Sequence, residues 1–223
     1  MGFEKTTKTI VIGGTSGIGR AVAELLSARP GEVVVASRSN GLDISDEDQV
    51  NEFFKRQGLF DHLVVTAGSR APSGKLVGLN LNSARSAFDT KFWGSVNAVH
   101  AAASNIRPGG TITLTSGFLA RRTVPGTFVK TAMNAALEAT AKILARELAP
   151  LRVNVVSPGL TETEAYSGME ATARSQMLQN AAASLPAGRV AQPHDLAAGY
   201  LFAIDTPSVT GAVIDIEGGA LVA

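Results

Sequence analysis

Gly13, Gly17 and Gly19 stand in the run Ile10-Val11-Ile12-Gly13-Gly14-Thr15-Ser16-Gly17-Ile18-Gly19, between a β-branched stretch and an alanine-rich one. A strand-to-helix turn needs glycine where the backbone must tighten, approach a pyrophosphate closely and let the helix pack on the strand. The free N–H groups and positive dipole end of the following helix then meet phosphate. Gly13, Thr15, Ser16, Gly17, Ile18 and Gly19 are therefore expected to cradle a dinucleotide. The alternative is a plain turn, and the placement of the glycines at the first strand-to-helix transition argues against it. A second chemical feature is Ser37-Arg38-Ser39, just beyond the next β-branched stretch. An acidic side chain there would hold a ribose 2′-hydroxyl, whereas a basic one suits a 2′-phosphate. Arg38 offers a planar fork, with Ser16, Ser37 and Ser39 as hydroxyl donors, so NADP(H) is expected in preference to NAD(H).

Other chemistries find little support. His62, His100 and His194 are scattered, and the acidic residues form no metal-binding cluster. With no cysteine, the chain has no disulfide, thiolate metal site or cysteine nucleophile. A formal charge of +1, from 20 basic and 19 acidic residues, supplies no footprint for nucleic acid. No apolar run approaches the roughly 20 residues that span a bilayer, so no membrane association and a cytoplasmic location are expected. The start Met1-Gly2-Phe3-Glu4-Lys5-Thr6 matches a myristoylation pattern too loose to carry weight.

The elements that must position these residues follow from periodicity. Short runs rich in Val, Ile and Leu at 7–13, 32–37, 62–67, 111–116, 152–157 and 212–216 read as strands covered on both faces. Helical stretches at 17–28, 45–57, 82–106, 127–148 and 193–204 alternate with them, the second capped by Ser45 with Asp48. This predicts a Rossmann-type doubly wound parallel sheet, an α/β fold of three layers, with all 223 residues in a single domain. The least regular stretch, 161–189, is a candidate lid over a site; an ordinary connection with one or two short helices is the alternative.

The glycine spacing G-x-x-x-G-x-G in this setting resembles that of the short-chain dehydrogenase/reductase family. Thr66-Ala67-Gly68 is similar to that family's Asn-Ala-Gly, with Thr for Asn. Arg152-Val153-Asn154 and Pro158-Gly159, with Thr163, resemble its Arg-Val-Asn and Pro-Gly-x-x-x-Thr segment. Gly188-Arg189, Pro193, Asp195, Ala197, Thr210-Gly211 and Gly218-Gly219 resemble its C-terminal third. The resemblance implies that Thr66, Ala67, Gly68, Pro158, Gly159, Thr161 and Thr163 contact the cofactor. It also implies that Asp43 and Ile44 lie against the adenine, although the helix that usually separates the second strand from this segment is missing. In the family the helices corresponding to 82–106 and 127–148 build symmetric interfaces, which implies a homodimer or homotetramer.

The resembled family uses a Tyr to move the substrate proton, a Lys one helical turn later to lower its pKa and hold the nicotinamide ribose, a Ser to polarise the carbonyl, and an Asn to support a water relay. Here Lys130 falls on the Tyr position and Asn134 on the Lys position. Gly117 falls at the Ser register with Ser116 one residue earlier, and Lys91 falls on the Asn position. Lys130 and Asn134, four apart on one helix, face the same side. An ammonium at Lys130, its pKa lowered by Lys91 and the nicotinamide, would serve as a general acid, and Asn134 would hold the ribose. The alternative is that both lysines only contact cofactor oxygens or solvent. Tyr166, in the candidate lid, is the other proton donor to weigh, whereas Tyr200 reads as core. Arg70, Arg121 and Arg122 lie in loops beyond strand ends, near where Lys91 and Lys130 fall, which admits an anionic substrate. The leading expectation is an NADP(H)-dependent oxidoreductase acting on a small carbonyl or alcohol. The competing one is a weakly active or inactive NADP(H)-binding sensor or assembly protein.

Overall fold

β1 (Lys8–Ile12) sends Ile10 and Ile12 into one hydrophobic cluster and Val11 into another, and all three are fully buried. That double burial is what a strand covered on both faces requires. The computed structural model describes residues 3–68 and 70–223, so Met1 and Gly2 of the myristoylation pattern lie outside the described residues. β2 (Glu32–Ala36), β3 (Phe60–Val65), β4 (Ile106–Thr115), β5 (Arg152–Pro158) and β6 (Val213–Ile216) complete a six-stranded sheet. Its order is β2-β1-β3-β4-β5-β6, and every neighbouring pair is parallel.

The helices are α1 (Gly17–Ser27), α2 (Glu47–Gln57), α3 (Leu81–Phe88), α4 (Gly94–Ala102), α5 (Phe128–Glu147), α6 (Ala171–Ser184) and α7 (Pro193–Asp205). α1 and α7 cover the face that carries Val11 and Val64, with Leu26, Leu196 and Tyr200 as their buried contributions. α2, α4 and α5 cover the other, where Phe54, Ala98 and Leu137 meet Ile12 and Leu63. This is the three-layer Rossmann-type domain expected. Strand order reverses between β1 and β3, and in such sheets the crevice beyond the strands' carboxyl ends at that point receives ligands. Among the described residues no helix is long and apolar enough to cross a membrane.

Several boundaries differ from expectation, each for a local reason. α2 is capped by Asp46, whose carboxylate accepts from Gln49 N–H at 3.0 Å. The expected cap Ser45 instead gives its hydroxyl to Asp43 at 2.6 Å. The helix expected over 82–106 is interrupted by a π turn, Asp89–Trp93, between α3 and α4. Such turns re-aim side chains and concentrate at functional sites; this one carries Lys91. β4 begins at Ile106 rather than at residue 111, with its register against β3 broken between Phe60 and His62. Only one 3₁₀ turn, Arg38–Asn40, fills the place of the missing helix after β2. Within 161–189 lie a 3₁₀ turn, Glu164–Tyr166, and α6, which buries none of its residues and so has no apolar face for a sequence pattern to reveal.

Candidate functional site

A cleft of about 530 Å³ opens at the strand-order reversal, floored by the ends of β1 and β3. Helix and strand approach so closely here that a Cβ on Gly19 would overlap the Gly13 carbonyl and the Thr66 hydroxyl, and one on Gly13 would lie 2.7 Å from Thr66 Oγ1. Only glycine permits that packing, and it leaves a backbone cradle at the start of α1 of the kind that accepts a diphosphate. The fit to a dinucleotide is therefore good. Thr66 donates its hydroxyl to Ile12 O at 2.9 Å, locking the second loop onto the first. Of the expected contacts, Gly13, Thr15, Ser16, Gly17, Ile18 and Gly19 line the cleft. So do Ser37, Arg38, Ser39, Asp43 and Ile44, together with Thr66, Ala67, Gly68 and Thr163. Thr161 does not. It is buried, and its hydroxyl turns back to Gly159 O at 3.1 Å.

At the outer rim Thr15 donates to Ser37 Oγ at 3.0 Å, and Ser37 and Ser39 lie 2.8 Å apart. Arg38 makes a bidentate pair with Asp43, Nε to Oδ2 at 2.9 Å and Nη2 to Oδ1 at 3.1 Å. That pair, followed by the Ser45 hydroxyl, lowers the Asp43 carboxyl to about 2. Asp43 thus orients Arg38, a role the sequence reading did not give it.

A second cavity of about 620 Å³ continues from the first, sharing Ile18, Thr66, Ala67 and Gly68. Asn134, Pro158 and Gly159 of the expected cofactor residues line this inner space, as do Lys91, Ser116 and Lys130. Lys91 Nζ donates to Asn134 Oδ1 at 2.7 Å and to Ser116 O at 2.8 Å. Burial, with the Lys130 charge second, lowers the Lys91 ammonium to about 8. Lys130 has no hydrogen-bond partner among the described residues. Gly117 makes room for the arrangement, because a Cβ there would lie 2.8 Å from Asn134 Nδ2.

A family pattern described as enoyl-(acyl carrier protein) reductase matches residues 40–220. A short-chain dehydrogenase/reductase of Stachybotrys chlorohalonatus, ATR9, is 31% identical, with 95% of each chain covered. The chain belongs to the short-chain dehydrogenase/reductase family of oxidoreductases. Carbonyl reductase family member 4 of Danio rerio is 30% identical over 94% of this chain and 96% of its own. A solved small-chain dehydrogenase in complex with NADPH is 54% identical, covers 98% of this chain and 100% of its own, and superposes with a TM-score of 0.96.

Within this dehydrogenase/reductase the polar side chains of the inner cavity are not independent. Lys91 on the π turn and Asn134 on α5 touch through their side chains. Gly117 supplies the space that this contact needs. Ser116 does not present its hydroxyl to the cavity as a free donor: it is given to buried Glu138 at 3.0 Å. Glu138 Oε2 lies 3.0 Å from Arg121 Nε, and Arg121 also pairs with Asp215. Of the three loop arginines, Arg121 is therefore committed and Arg70 is exposed, whereas Arg122 lines the inner cavity and donates to Ala220 O.

Tyr166 reaches the inner cavity, and burial raises its pKa. Tyr200 is core, as expected, with its hydroxyl 2.5 Å from Thr115 Oγ1. His62 is packed with Nδ1 3.0 Å from Thr111 Oγ1, and burial lowers it to about 4. Some residues of the site escaped the sequence reading. Thr90 and Leu42 join the cleft, and Glu164 accepts from Gly17 N–H at 2.9 Å. Nothing in the local pattern around Glu164 announces that long-range contact; its only hint is its place beside Thr163.

Proposed function

We propose that this dehydrogenase/reductase uses NADP(H), in preference to NAD(H), to interconvert a small carbonyl compound and its alcohol. The observation that carries the reading is the continuity of the outer cleft with the inner cavity across Ile18, Thr66, Ala67 and Gly68. A dinucleotide held by the glycine loop would extend across these shared residues toward the cavity that Lys91 and Lys130 line. Bound there, the reduced nicotinamide supplies a hydride; the chain's own part is to hold the cofactor, exclude water and deliver a proton. Arg38, kept in place by Asp43, is the group for a 2′-phosphate, and the NADPH complex of the 54% identical dehydrogenase supports that choice.

Lys91 is the proton donor in this reading, with Lys130 as the second cation. An ammonium near 8 is still charged at neutral pH and parts readily with its proton, the condition a general acid needs. Asn134 Oδ1 and Ser116 O accept two of its hydrogens, leaving the third for a substrate oxygen. The sequence pattern points to Lys130 as donor with Lys91 as its neighbour; the burial of Lys91 favours the reverse. Lys130 and Arg122, in a cavity with no carboxylate among its described lining residues, support an anionic substrate. The 161–189 segment, which brings Tyr166 to that cavity, is the lid. The apolar Phe128 and Ile143, exposed on α5, support a homodimer or homotetramer, to be checked by sedimentation at micromolar concentration. A cytoplasmic location completes the reading.

The test is NADPH and NADH oxidation against a panel of aldehydes, ketones and oxo acids. Turnover with NADPH preferred is expected. The replacement of the family's hydroxyl donors favours one second reading, the NADP(H)-binding sensor or assembly protein, and tight NADPH binding without turnover of any carbonyl selects it.

A further inference from the structure

The glycine loop already holds an anion of the chain's own. Glu164 Oε2 accepts from Gly17 N–H at 2.9 Å, and Oε1 is bonded to the Arg20 guanidinium. Ser16, immediately before α1, makes no side-chain cap, so this carboxylate satisfies the first turn from a distant part of the chain. The preceding Thr163 packs over the same turn: its Cβ and Cγ2 lie 3.5 Å from where a Gly17 Cβ would stand. Hydrogen bonds from its own backbone N–H, from Gly17 and from Arg20 hold the Glu164 carboxyl below its usual range, so it is charged at neutral pH.

A carboxylate and a diphosphate cannot share these donors. Both are anions seeking the same N–H groups and the same positive helix end, and placing one beside the other costs like-charge repulsion. We propose that Glu164 is an internal competitor for the cofactor's diphosphate, latching the 161–189 segment onto the glycine loop until the cofactor displaces it. Glu164 shares a single 3₁₀ turn with Tyr166, and Tyr166, Ala181, Ser184 and Leu185 line the inner cavity. Release of the carboxylate therefore alters the wall of the substrate cavity as the cofactor arrives, and it frees Arg20 to stand beside the incoming phosphates. The latch is weak enough to yield: the side chains of Glu164 and Arg20 keep 46% and 52% of their exposure, and water screens such pairs.

This inference goes beyond the carbonyl reading and rests only on the cofactor cleft, so its test needs no turnover. NADPH binding is followed by fluorescence, at equilibrium and by stopped flow, for the parent, Glu164→Gln and Glu162→Gln. Glu162 is an exposed neighbour whose carboxylate bonds Gln192 instead of the loop, and it controls for bulk charge. Because apparent affinity falls with the fraction of molecules able to bind, Glu164→Gln should bind NADPH about fivefold more tightly. The gain should lie in faster association, with dissociation little changed, and Glu162→Gln should stay near the parent. Inorganic pyrophosphate should likewise compete with NADPH better in Glu164→Gln. Unchanged or weaker NADPH binding in Glu164→Gln overturns the proposal, as does an equal gain in Glu162→Gln. Glu164→Ala provides a second variant at this exposed position and should behave as Glu164→Gln does.

Discussion

The outer cleft and the inner cavity adjoin, yet they are built from different materials. The cleft is made mainly of backbone: glycines that let α1 meet β1, and the first turn of a helix. The cavity is made of side chains that depend on one another, Lys91 on Asn134, Asn134 on the space at Gly117, and Ser116 on Glu138. A backbone site tolerates change in the residues around it, whereas a side-chain site changes as a set. That contrast sets a glycine loop whose shape rests on local backbone against an inner set whose members must change together.

The sharpest way to break the comparison is Lys91→Met. If the inner set performs the chemistry alone, kcat for an accepted carbonyl should fall about 10²- to 10⁴-fold. NADPH affinity, measured by titration, should stay within about threefold. A mutation of the cleft should do the opposite. Arg38→Ala should reduce the preference for NADPH over NADH by about tenfold, a discounted figure because Arg38 is well exposed, and leave NADH affinity alone. Gly117→Ala probes the dependence within the cavity. Its Cβ would stand 2.8 Å from Asn134 Nδ2, so Asn134 and with it Lys91 must shift, and kcat should drop about fivefold at unchanged NADPH affinity. Ser116→Ala should show the smallest kinetic effect, within about twofold, since its hydroxyl serves Glu138; thermal unfolding should register a loss of about 1 kcal/mol.

The same contrast governs what the sequence made legible. The parallel sheet, both helical layers and the dinucleotide loop follow from β-branched runs, alanine-rich periodicity and three glycines, because these are properties of neighbouring residues. Arg38 was visible as a cation, but its bidentate pairing with Asp43 was not. The contact of Lys91 with Asn134 joins residues 43 positions apart, and Glu164 reaches 147 positions back to Gly17. Such contacts depend on the three-dimensional closure of the fold and on the π turn at Asp89–Trp93, neither of which leaves a periodic trace. Ser45 was a reasonable cap by type, and it was displaced because the Asp43 carboxylate claimed its hydroxyl first. α6 was missed as a single helix because helix patterns are read from an apolar face, and it has none.

The central claim, that a lysine pair delivers the proton with Lys91 as the acid, meets its most direct test in the pH dependence of kcat/KM for carbonyl reduction, compared between the parent and Lys130→Met. The donor must be protonated, so the parent's rate should be level at lower pH and decline as pH rises through about 8, the value to which burial and Lys130 lower Lys91. Removing the Lys130 charge makes the Lys91 ammonium easier to keep, so the declining limb should move to higher pH. A limb that stays in place in Lys130→Met contradicts the account.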